Sequence, residues 1–198
     1  MRDSPDSGSG QAMWRLKNHY KHMKSIAEKK KNEHLIEYIL YCYRMEDLIR
    51  AYQFNMEDLE QYVLTHKNVS QQDRTESKAW LTDLADDMKR AGLEEKGHLP
   101  EVQALVDRLA EYHWKLLKTD PDYLSLHRKA RPHLLRLLSD LTDENPGHEI
   151  QIYIHTLYGL LLSKLNGKKA PESVEEAAAR FGEVLSYLDA RFRASEQA

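Results

Sequence analysis

The stretch "HLIEYILYCYRMEDLIRAY", residues 34–52, decides the fold. Set out at 100° per residue, Ile36, Leu40, Tyr43 and, just beyond, Phe54 fall on one side. Tyr38, Met45, Leu48 and Tyr52 fall on the opposite one. A helix that is apolar nearly all the way round has no face to give to water, so it belongs in the middle of a bundle. Its few polar side chains then need explaining. Glu46 and Arg50 are four apart and Asp47 and Arg50 three apart, so both carboxylates can reach the guanidinium. Asp47 points into the sector of Ile36, Leu40 and Tyr43, where an unpaired charge would be costly. Glu37 and Arg44 share another stripe, with Tyr41 beside them. An ion-pair network that sets helix register is the plain reading; a polar pocket for a small ligand is the sharper one.

Helical punctuation repeats outward from this stretch. One long helix is expected from about Ser25 to Tyr52, and Asn55 caps a short one over "MEDLEQYVLTH". A third spans about 71–91, closed by Gly92, and a fourth runs from Pro100 to near Thr119. A fifth, about 121–142, contains Pro132, which should kink or split it. Pro146-Gly147 breaks the chain before a sixth helix over 148–166, closed by Gly167. The seventh runs from about Pro171 to Arg193, with Val174, Ala178, Phe181, Leu185, Leu188 and Phe192 along one stripe. No stretch alternates as a strand does, and no fixed period repeats. The expectation is an all-α, single-domain helical bundle of about six to seven helices over residues 23–193. Residues 1–22, Ser-, Gly- and Asp-rich at their start, are expected as a disordered extension, and 194–198 as a disordered tail.

Composition narrows the classes of function. Of the 198 residues 31% are charged, yet the net charge is only −3, so nothing favours wholesale binding to a polyanion. Lys24, Lys29, Lys30 and Lys31 read as a solvated helix end, with no nucleic-acid recognition module beside them. The most apolar stretch, 150–165, is too short and too polar to span a membrane, and residues 1–22 lack the apolar core of a signal peptide. A soluble cytoplasmic protein is expected, without nucleic-acid or membrane partners. The one cysteine, Cys42, can form no intrachain disulfide and reads as a buried thiol.

"GLEEKGHLPEV", residues 92–102, places Glu95 and His98 three apart, the spacing by which di-iron bundles hold metal. That element works only when both side chains project from one helical face, and here Gly92, Gly97 and Pro100 mark an interhelix loop. Lys96 and His98, close to a helix start, form a weak candidate for holding an anion. His113 lies on the apolar stripe Val102, Val106, Leu109, Leu116 and reads as hydrogen-bonded core, as does His155. His127 and His133 flank Pro132 and are expected to be exposed, while Trp114 and Tyr158 read as packing residues. Zinc wants three or four converging ligands, and the spacing offers no such cluster, so no metal and no cofactor are expected.

The stretches "EYILY" (37–41), "EDLIRAY" (46–52), "EKGHL" (95–99) and "LYGLLL" (157–162), in that order, are carried over 23–193. In them the chain resembles an uncharacterised bacterial all-helical family, domain of unknown function 4924. The resemblance implies a small cytoplasmic all-α protein and no particular activity. The segments before Met23 and after Arg193 depart from the family pattern.

The residues favour a non-catalytic helical-bundle protein that binds a protein partner or a second copy of itself. The alternative is a small-molecule binder or enzyme with a pocket formed by Glu37, Tyr41, Glu46, Asp47, Arg50 and His98. No residue is assigned as catalytic, because no nucleophile, metal set or phosphate loop accompanies these carboxylates.

Overall fold

The computed structural model describes residues 23–61, 70–140 and 147–197, and all regular structure among them is helical. Eight helices occur among the described residues, one more than the sequence suggests: α1 (Met23–Glu33), α2 (Leu35–Ala51), α3 (Met56–Leu59), α4 (Gln71–Arg90), α5 (Pro100–Thr119), α6 (Pro121–Asp140), α7 (Glu149–Leu165) and α8 (Glu172–Glu196). The extra helix arises at His34, where the expected long first helix divides. No Gly or Pro marks the break. Instead Leu35 N–H donates to the Asp189 carboxylate at 3.2 Å, so an acceptor 154 residues away takes a donor that the helix would otherwise use. His34 supplies the first carbonyl of α2, to Tyr38 N–H.

The described residues fall into two compact units. The first comprises those of Met1–Glu33 and Tyr41–Leu99, the second those of His34–Leu40 and Pro100–Ala198. In the first, α4 packs on α1 and α3, and Met23, Met45, Ile49, Leu81 and Met88 are fully buried. Tyr43 and Met45, from opposite sides of α2, are both buried, as the apolar girdle requires. Cys42 is buried too. In the second unit α8 packs most extensively on α6 and α7, and α5 touches all three. Ala178, Phe181, Leu185, Leu188 and Phe192 carry the apolar stripe of α8 into that core. This helix continues past Arg193 to Glu196, whose carboxylate pairs with Arg108 at 2.6 Å, so residues 194–196 of the expected tail are helical.

Local chemistry accounts for the ends. Asn55 Oδ1 accepts from Glu57 and Asp58 N–H at the start of α3; the rest of the short helix expected there lies partly outside the described residues. Ser70 and Asp73 form a reciprocal capping box on α4, worth about 1 kcal/mol. Gly92, at φ +68°, closes α4: its N–H reaches Lys89 O, and Leu93 N–H reaches Met88 O. Pro132 does not split α6. Its missing N–H frees the carbonyl of Arg128, and both residues lie on the exposed face, where water can satisfy that oxygen.

Candidate functional site

The polar residues of α2 fold into a clamp on the loop 92–99. Glu46, fully buried, receives His98 Nδ1 at 2.7 Å on one oxygen and Leu99 N–H at 3.0 Å on the other. The His98 ring stacks on Tyr43, centroids 3.4 Å apart. Arg50, largely buried, donates to Leu93 O at 3.1 Å, to Gly97 O, and to Asp47 at 3.0 Å. The expectation for the two carboxylates is thereby reversed. Asp47, with 45% of its side chain exposed, is the surface partner, and Glu46 is the buried one. Glu95 is exposed, and the 92–99 segment is a loop, as its glycines imply.

Of the six residues expected to line a pocket, Glu46, Asp47, Arg50 and His98 meet in this clamp. Glu37 is exposed and belongs to the second unit; Tyr41 donates to Met23 O at 3.2 Å and stacks on Trp80. An open groove of ≈ 450 Å³ is lined by Arg50, Gln53, Phe54, Lys89 and Glu94, so Arg50 alone of the six reaches it. Lys96 is exposed, and His98 faces the Glu46 carboxylate.

A second polar cluster lies wholly within the second unit. His113 of α5, His127 of α6 and Glu149 in the first turn of α7 bring three metal-binding atoms within 4.8 Å of one another. The Glu149 Oε2 atom is 2.8 Å from His127 Nε2 and 3.4 Å from His113 Nε2. His113 is completely buried, and its Nδ1 lies 2.6 Å from the Tyr123 hydroxyl. Its Nε2 has no hydrogen-bond partner among the described residues. The buried hydroxyl of Tyr153, one turn beyond Glu149 on α7, has none either.

Electrostatics make the cluster a fixed set of donors. The imidazoles of His113 and then His127 pull the Glu149 carboxyl down to about 2, against burial, which raises it. The His113 contact, at 3.4 Å, is long for a hydrogen bond, and the closer His127, at 2.8 Å, is the stronger partner. The helix N-terminus favours the same anion. Burial pushes the Tyr123 hydroxyl above its ordinary range, helped by Tyr153 and Glu149. Burial, then the Glu149 charge, does the same for Tyr153. Both phenols therefore remain O–H donors beside a carboxylate anion.

Residues 23–198 match the model of a family described as domain of unknown function, DUF4924. The chain belongs to this family. No curated protein and no solved structure matches it. The DUF4924 match runs to residue 198, so the segment after Arg193 belongs to the family pattern from which it was expected to depart.

The histidine cluster of this DUF4924 chain overturns several readings of single residues. His127 is buried, not exposed, and the converging ligands that spacing did not offer are supplied by three helices. His155 is exposed, bonded to Gln151 at 2.7 Å, and Trp114 is 48% exposed rather than packed. His113 is hydrogen-bonded core, as its stripe implies, but only through one nitrogen. One signal was available. His113 and His127 stand seven residues either side of Asp120, the turn between α5 and α6, so an antiparallel hairpin sets them side by side. Among the described residues no helix is long and apolar enough to cross a membrane.

Proposed function

We propose that this chain binds a divalent transition-metal ion through His113 Nε2, His127 Nε2 and Glu149 Oε2. Two imidazoles and a carboxylate suit zinc or non-haem iron(II), and three protein ligands leave a coordination position open. The observation that carries this reading is the convergence of the buried His113 Nε2, which makes no hydrogen bond among the described residues, with His127 Nε2 on one Glu149 oxygen. With Nδ1–H donated to the Tyr123 hydroxyl, the Nε2 lone pair faces an anionic carboxylate oxygen, and a cation between them would relieve that repulsion. With the proton on Nε2, a buried donor makes only a long contact. Ligands about 2.0–2.1 Å from a tetrahedral zinc stand roughly 3.3 Å apart. The two separations to Glu149, 2.8 and 3.4 Å, lie close to this, and all three atoms fall within 4.8 Å of one another. Tyr123 then fills the outer role that orients a ligating imidazole. This proposal departs from the sequence expectation of no metal.

The test is calorimetric titration of Zn(II) into the full chain after EDTA treatment and dialysis. One ion per chain is expected, with binding lost in His113→Ala and in Glu149→Gln. Absence of saturable uptake, or uptake unchanged in both variants, overturns the reading. The partner-binding role that the sequence favours draws its support from two exposed large apolar side chains, Trp114 at 48% and Leu135 at 54%. Sedimentation of the full chain against a Trp114→Ser, Leu135→Ser variant tests it: a concentration-dependent association present in the first and lost in the second is expected.

A further inference from the structure

We infer that this chain associates with further copies of itself, the basic outer face of α6 on one copy docking the acidic outer face of α8 on the next. The inference rests on the partner-binding reading above and names the partner and the two surfaces that meet.

The α6 face follows from helical period. Tyr123, His127, Ala130 and Leu134 recur every three or four residues and are buried, so they hold α6 to the core of the second unit. Arg128, Arg131 and Leu135 fall on the opposite side and are exposed, with Lys129 and Arg136 beside them. No acidic residue occurs between Asp122 and Asp140. None of the four cationic side chains has an ion pair or hydrogen bond among the described residues. Leu135, 54% exposed, adds an apolar contact that gains from cover.

The α8 face is the counterpart. Phe181, Val184 and Leu188 are buried, while Glu172, Glu175 and Ala179 lie on the exposed side with Glu176 beside them. These three carboxylates have no ion pair among the described residues either. The spacing of the two faces is the same. Arg128, Arg131 and Leu135 stand at i, i+3 and i+7, and so do Glu172, Glu175 and Ala179. Residues so spaced form the seam along which helices pack, and in parallel helices they meet level by level. Arg128 then meets a neighbour's Glu172, Arg131 its Glu175, and Leu135 its small Ala179. The planar forks of arginine suit such carboxylates. Arg136 comes level with Arg180, whose charge is already offset by Glu183 at 3.0 Å.

An extended polyanion fits the α6 face less well. The net charge of −3 includes these four cations, so the rest of the chain carries −7 and repels anything that spreads past one helix. The apolar side of α6 is committed to the core and is not free to enter a bilayer. His127 lies on that buried side, so the contact is independent of the metal reading. Because the two faces differ, copies can close a ring or continue head to tail. Three ionic and apolar layers are few, so the association is weak and sensitive to salt.

Sedimentation velocity of the full chain over a range of concentrations, in about 50 mM and about 500 mM sodium chloride, tests this. The parent should associate at the lower salt and dissociate at the higher. Arg128→Glu with Arg131→Glu gives both seams carboxylates; Glu172→Lys with Glu175→Lys gives both seams cations. Each variant alone should associate about tenfold or more weakly than the parent. All four positions are exposed, so circular dichroism should match the parent. An equimolar mixture of the two variants should recover the association, because their seams are again opposite in charge. Association that survives high salt, or survives both charge variants, overturns this inference and leaves the partner-binding reading standing. A mixture that stays unassociated also overturns it, and directs the α6 face to an acidic segment of a different protein. A parent that never associates overturns this inference and the self-association test of the partner-binding reading together.

Discussion

Two carboxylates, the buried Glu46 in the first unit and the half-buried Glu149 in the second, each meet histidine, and their surroundings differ in one respect. Around Glu46 both oxygens are taken, one by His98 and one by Leu99 N–H. Arg50 meanwhile satisfies two loop carbonyls, Leu93 O and Gly97 O. Around Glu149 two imidazoles crowd one oxygen, while His113 Nε2, 3.4 Å from it, and the Tyr153 hydroxyl make no hydrogen bond among the described residues. A closed network holds a fold; a buried group left unmet calls for a partner from elsewhere. Identical residue types thus serve as a clamp in one place and as a ligand set in the other.

The largest effect should come from the clamp. Glu46→Leu removes the acceptor of a buried N–H and of His98 together, and breaking such a buried pair costs about 3–5 kcal/mol. At roughly 2–4 °C per kcal/mol for a chain of this size, the thermal midpoint should fall by roughly 6–20 °C. A fall under about 2 °C would show that the two networks are not different in kind. Arg50→Met should act in the same direction, because it strands Leu93 O and Gly97 O.

Next in size is the acid response of Glu149 in EDTA-treated protein. Its carboxyl pKa is lower in the folded chain than the ordinary 4.5, at about 2, so its stabilisation is complete above pH 4.5 and disappears as pH falls toward 2. The shift corresponds to on the order of 3 kcal/mol. Denaturant midpoints of Glu149→Gln should therefore lose part of the parent's slope between pH 4.5 and 2, and equal slopes would deny the interaction with the imidazoles. Metal addition follows closely. Zn(II) at a hundred times its dissociation constant stabilises by about 2.7 kcal/mol, or roughly 5–10 °C. Scanning calorimetry should show that gain in the parent and in Asp47→Asn, and none in His127→Ala.

Smaller effects sharpen the contrast. Gly97 sits at φ +93°, and a Cβ there would meet Leu93 Cδ2 at 2.9 Å. Gly97→Ala should cost about 1–2 kcal/mol in urea unfolding, since the backbone is strained and the displaced leucine is flexible. Tyr153→Phe should raise the stability of metal-free protein by about 1 kcal/mol, because it removes a buried hydroxyl that makes no hydrogen bond among the described residues. A clear loss there would reveal an acceptor and return the second network to the closed kind.

Much of this was legible along the chain. Asn55, Gly92, Pro100 and Gly167 mark helix ends where they are found, and the girdle of Tyr43 and Met45 is buried on both sides. The nearness of Glu46, Asp47 and Arg50 follows from one helical turn. Which carboxylate is buried does not, since that depends on where the 92–99 loop lies against α2. The break at His34 was hidden for the same reason: its cause is Asp189, and no residue near position 34 signals it.

By itself the sequence determined that the chain is helical, where most helices end, and that charged residues interrupt an apolar helix. These are effects of period and capping that act within about four residues. Only the tertiary structure decided which polar groups are satisfied and which are left over. His113, His127 and Glu149 lie 14 and 22 residues apart along the chain, and the hydrophobic packing of α5, α6, α7 and α8 brings them together. That packing is indifferent to ligand chemistry, so a metal-binding arrangement of side chains leaves no local spacing to read.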